Sequence, residues 1–153
     1  MGGRGTYGFR IASAIALGVA MLLSPGVNAA ADSDAVAYRR HVMRAMGEQV
    51  AALALVLQKR GPAENAALHA RTIALAAQAA VKAFEVQAPG GEARPEIWRR
   101  WPDFEKRLKA LSADANELAV IAERDGIAAA EAKAMSVLTC KSCHDAYRSR
   151  QAR

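Results

Sequence analysis

The stretch Trp101–Gly126, WPDFEKRLKALSADANELAVIAERDG, places Phe104, Leu108, Leu111, Ala115, Leu118 and Ala122 at alternating intervals of three and four. That interval is the period of an α-helix with one apolar stripe, and it predicts a helix from near Pro102 to the Asp125-Gly126 stop. Upstream, Ala66, Ala70, Ile73, Ala77, Ala80 and Phe84 repeat the pattern behind Pro62, a favourable first-turn residue. Before them Met43, Met46, Val50, Leu53 and Leu57 form a stripe between the candidate caps Asp32-Ser33-Asp34 and the stop at Lys59-Arg60-Gly61-Pro62. Downstream, Ala128 to Arg148 is alanine-rich without glycine or proline and predicts a fourth helix. No strand alternation appears, whereas Glu85 to Ile97, with Pro89-Gly90-Gly91 and Pro95, reads as one long loop. Four helices, each apolar on one stripe, bury those stripes most simply as an antiparallel four-helix bundle, an all-α fold.

Composition agrees with one such domain. The chain has 153 residues, 52% of them hydrophobic and only 5% aromatic, so its core material is largely alanine and suits helices packed closely. The first 31 residues stand apart. Arg4 and Arg10 precede the 13-residue apolar run Ile11 to Leu23, and Ser24-Pro25-Gly26 breaks it before Ala29-Ala30-Ala31. This is the pattern of a cleaved secretory signal peptide, residues 1–31, removed after Ala31 or Ala29 to leave the domain 32–153. The run is shorter than the ~20 residues that span a bilayer, so no membrane span is expected after cleavage and the periplasm is the expected compartment. Without Arg4 and Arg10 the net charge falls from +6 to +4, a mild basic bias that reads as a solvated surface, and no nucleic-acid motif is present.

The chemistry is carried by Cys140-Lys141-Ser142-Cys143-His144. In an exported protein CxxCH reads as a covalent attachment site for one haem c: each thiol can form a thioether with a haem vinyl group, and His144 becomes the proximal iron ligand. At about 100° per residue both thiols and the imidazole fall within one arc of the helix. A redox-active CxxC, a structural disulfide and half of a zinc site compete with this reading. The chain lacks the βαβ context of the first, and only His41 and His69 remain to complete the last. No cluster of acid, base and nucleophile points to an enzyme.

Whether the opposite face of the iron is occupied separates electron transfer from gas binding. Met135 lies ~13 Å back along the same helix and cannot reach across the ring. Met43 and Met46 remain as candidate ligands, as do His41 and His69, which sit away from the apolar stripes. On periodicity alone, ordinary core filling is the better account of the two methionines.

Beyond these readings, the chain resembles the class II cytochromes c, the cytochrome c prime family. The match rests on Cys140 to His144 continuing as Asp145-Ala146-Tyr147-Arg148, on Tyr38-Arg39, on Gly90-Gly91-Glu92-Ala93-Arg94-Pro95-Glu96-Ile97-Trp98, and on the four-helix layout. The resemblance implies that Met43, four residues after Arg39, stands over the distal haem face. Relatives with an apolar residue there have five-coordinate iron that binds nitric oxide or carbon monoxide, and those with methionine are usually six-coordinate. It therefore implies a low-spin haem ligated by His144 and Met43 that carries single electrons between periplasmic redox partners, with a gas-binding five-coordinate protein as the alternative. It further implies that Arg39 reaches a haem propionate, that Arg40 and Glu92 contact the haem, that Trp98 packs near it, and that two copies can pair as a homodimer. Arg148, one turn after His144, is expected to flank the proximal side.

Overall fold

The computed structural model describes residues 1–2 and 26–149. The basic start, apolar run and break of the expected signal peptide lie outside the described residues, apart from Met1, Gly2 and residues 26–31. Helix α1 spans Gly26–Leu57, α2 Ala66–Glu85, α3 Glu96–Arg99, α4 Trp101–Arg124, α5 Ile127–Val137 and α6 Cys140–Tyr147. A 3₁₀ turn, Ala63–Asn65, leads into α2. No helix among the described residues is long and apolar enough to cross a membrane.

Packing follows the stripes. Helix α2 lies against α1 and α4, α4 also contacts α5, and α5 returns to α1, which closes a four-helix bundle. Every stripe residue expected on α2, from Ala66 to Phe84, is buried, as are Phe104, Leu108, Ala115 and Leu118 of α4. The largest fully enclosed side chains are Leu53, Ile73, Ile97 and Leu118, one each from α1, α2, α3 and α4. Between them the facing surfaces are rich in alanine, which lets helix axes approach closely. Two cross-links fix the antiparallel register of α2 and α4: Arg71 pairs with Glu123 at 2.6 Å and Gln78 donates to the Ser112 hydroxyl at 3.1 Å.

Three details differ from expectation. Helix α1 begins at Gly26, so Asp32-Ser33-Asp34 lie inside it rather than capping it; the alanines before them extend the helix backwards through their high propensity. The fourth helix is not continuous. Leu138 and Thr139 leave helical geometry, with ψ of 56° and 47°, and the chain restarts at Cys140. The Thr139 carbonyl takes both the Ser142 N–H at 3.2 Å and the Ser142 hydroxyl at 2.9 Å, a local alternative to the helical ladder that neither glycine nor proline announces. Finally, the long loop is shorter than expected because Glu96–Arg99 forms a helical turn within it.

That loop is tied down at both ends. The buried guanidinium of Arg39, on α1, donates to the Val86 carbonyl at 3.1 Å and the Ala88 carbonyl at 2.7 Å. At the other end the Arg94 N–H donates to the Tyr147 carbonyl at 3.0 Å and the Ser149 N–H to the Glu92 carbonyl at 2.8 Å, beside an isolated bridge between Ala93 and Arg148. Between the ties, Gly90 and Gly91 turn with φ of 111° and 65°, in the left-handed region that favours glycine. A Cβ on Gly91 would also meet the Val36 side chain at 3.0 Å.

Candidate haem-binding site

The restart at Cys140 sets α6 against α3 and α4 at one end of the bundle and opens a cavity of about 690 Å³ between α6 and α1. One wall carries Cys143, His144, Tyr147 and Arg148 of α6 and its C-terminal edge. The facing wall is one stripe of α1: Val36, Arg39, Arg40, Met43, Arg44 and Gly47 recur at helical spacing. Phe84, Ile97, Phe104 and Leu108 supply apolar sides, and Gly90 to Ala93 of the loop close the rim.

These walls fit a haem. The volume lies in the range of cofactor pockets, apolar side chains flank a flat ring, and cations sit at the rim where its two carboxylates would emerge. A Cβ on Gly47 would meet nothing within 4 Å, so the distal end of the cavity is open. Of the expected anchors, Cys143 and His144 line the cavity, whereas Cys140, the first residue of α6, is half-buried but does not line it. No disulfide joins the two cysteines.

Electrostatics suits these residues to haem attachment. Burial, and next the Arg148 charge, hold the His144 pKa below the ordinary imidazole value, which keeps a neutral ring nitrogen available to a metal. Burial also pushes the Cys143 thiol up, the opposite of the lowered value that activates a thiol–disulfide enzyme. Among the described residues no cluster of three or more histidine, cysteine or acidic side chains could hold a metal ion, so none there completes a zinc site with these cysteines.

The other expected haem contacts are distributed differently from one another. Met43 is half-buried on the distal wall, while Met46 is buried in the core. Arg39 lines the cavity, but the guanidinium expected at a propionate is bonded to Val86 and Ala88 and lies over the rings of Phe84 and Trp98, at 5.5 and 5.3 Å. Trp98, expected close to the haem, does not line the cavity; its indole N–H donates to the Phe84 carbonyl at 2.8 Å. Glu92 and Arg148 line the cavity as an ion pair, with contacts of 2.7 and 2.8 Å. Arg40 is exposed at the mouth.

Sequence reasoning gave no role to Arg44 or Tyr147. Arg44 follows Arg40 by one turn, a spacing visible in the sequence. Tyr147 is buried against Phe104 at 5.2 Å, and its hydroxyl donates to Asp103 of α4, a pairing 44 residues apart that no local pattern signals.

The cytochrome c' family model matches residues 34–148. The cytochrome c' of Alcaligenes xylosoxydans is 30% identical over 121 residues, covering 77% of this chain and 95% of that protein. Cytochrome c-556 of Agrobacterium fabrum is 33% identical over 117 residues, 72% of this chain and 77% of that protein. Among solved structures, a nitric oxide complex of a cytochrome c prime variant from Alcaligenes xylosoxidans superposes with a TM-score of 0.70 at 27% identity, covering 78% of this chain and 97% of that one. Another variant, ferrous with bound nitric oxide, matches equally at 26% identity.

These findings overturn one expectation. The low-spin electron carrier, with His144 and Met43 both fixed to iron, would leave no position for a gas, yet the similar solved chains hold nitric oxide. The methionine at position 43 suggested that reading by resemblance alone, and side-chain identity at one distal position does not decide whether a bond to iron forms. Fold, cavity and relatives agree instead on a bundle with one covalently attached haem c, and the chain belongs to the cytochrome c' family.

Proposed function

We propose that this protein is a five-coordinate haem protein of the periplasm that binds nitric oxide or carbon monoxide on the distal side, under Met43, and is not an enzyme. One observation carries the reading: the wall holding Cys143 and His144 faces, across an open cavity, the α1 stripe that bears Met43, in a chain similar to nitric oxide complexes. A haem held here would supply an iron able to take a diatomic gas. Cys140 and Cys143 would hold it by thioethers, and His144, kept neutral by burial, would bind its iron. Phe84, Phe104 and Leu108 would keep water from it, and a periplasmic redox partner would supply its electron.

Met43 then restricts the gas sterically rather than by occupying the iron. Trimming it in Met43→Ala leaves the spin state unchanged and speeds carbon monoxide association with the ferrous protein about tenfold, since relieving ~1.4 kcal/mol of crowding is tenfold in rate. Flash photolysis of both proteins measures this. A change from low-spin to high-spin iron on making Met43→Ala would show that methionine ligates after all. Intact mass of the mature protein checks attachment: a haem added to the polypeptide mass, lost in the Cys140→Ala, Cys143→Ala double variant, is the expected result.

A further inference from the structure

Four arginines line the cavity, and two of them are already engaged. Arg39 is bonded to the Val86 and Ala88 carbonyls, and Arg148 is paired with Glu92. Among the described residues Glu92 is the only carboxylate on the lining, and Arg148 takes it. Arg40 and Arg44 are both exposed on the α1 stripe, four residues apart, with no hydrogen bond or ion pair to any described residue. Like charges at that spacing on a helix repel, so the sequence places a small electrostatic cost at the mouth of a ligand cavity and no described residue relieves it. The remaining exposed arginines around α3 and α4 contrast with them: Arg99, Arg100 and Arg107 each meet Glu96 or Asp103.

We propose that Arg40 and Arg44 form a seat for a small carboxylate or oxyanion at the mouth of the haem cavity. Two planar guanidinium groups one helical turn apart can each donate a pair of charge-assisted hydrogen bonds to the same anion, which replaces their mutual repulsion with attraction. The anion comes from solution, as a negatively charged ligand on its way to the iron. Arg44, one residue beyond Met43, supplies a charge at the entrance to the distal side that the neutral gases do not need. The seat rests on the haem reading above, and it extends the ligand class from neutral diatomics to anions.

The test uses the mature holoprotein, with Arg44→Gln compared against Arg60→Gln, an exposed arginine that does not line the cavity. Nitrite is titrated into the ferric protein at two salt concentrations. If the seat receives the anion, Arg44→Gln weakens nitrite binding about fivefold and flattens its salt dependence, as loss of one partly exposed charge contact should. Nitrite affinity and salt dependence in Arg44→Gln matching those in Arg60→Gln would overturn the seat. Failure of the haem reading is separate: unmodified protein with no carbon monoxide difference spectrum would remove it, whatever the arginines do.

Discussion

Tyr147 and Asp103 join the cavity wall to α4, and their titration gives the site an acid-side signature. The hydroxyl of Tyr147, and next Arg107, hold the Asp103 carboxyl below its ordinary value. A carboxyl lowered on folding binds fewer protons than in the unfolded chain, so its stabilisation is complete above the ordinary carboxylate range and fades as pH falls through the lowered value. In Tyr147→Phe that stabilisation is smaller, and the gap between the two stability curves closes with falling pH; urea melts from about pH 2 to pH 6 test this. Arg39 acts on backbone instead. Arg39→Met leaves the Val86 and Ala88 carbonyls without donors and costs about 2 kcal/mol or more in the same melts. The CxxCH motif was legible because its chemistry is local, whereas Arg39's bonds span 47 and 49 residues and depend on how the loop returns to α1.

Among the elements, the stripes predicted burial well. Ala66 to Phe84 on α2 was readable from periodicity because each helix buries one face against its neighbours, and that requirement is written in the spacing. The break at Leu138-Thr139 was not, since a serine side chain competing for one carbonyl leaves no period. Burial predicts energetics: Leu118→Ala costs about 2–5 kcal/mol, while Leu75→Ala on the exposed face of α2 changes stability by less than about 0.5 kcal/mol, both by denaturant melts. The loop clasp is a separate matter. Glu92→Gln removes a partly exposed ion pair and costs less than about 1 kcal/mol globally, yet it should raise hydrogen exchange at the Arg94 and Ser149 amides, whose bonds close the clasp. Unchanged exchange at both amides would show that the backbone bonds hold the loop alone.

Across the bundle, four helices bury their stripes and leave one end open, where α1 and the short α6 stand apart over a cavity. The helical stripes and the attachment motif are legible in residue spacing, but the coordination of the iron is not. Whether Met43 bonds depends on how closely α1 brings it to the iron, which is set by the joint packing of α1, α2 and α4 rather than by any residue type. On the reading proposed for this protein, the distal position of the iron stays free. The absorption spectrum of the ferrous mature protein, before and after carbon monoxide, decides the matter: broad high-spin bands that convert on adding the gas are expected, and sharp low-spin bands indifferent to it would refute a free distal position.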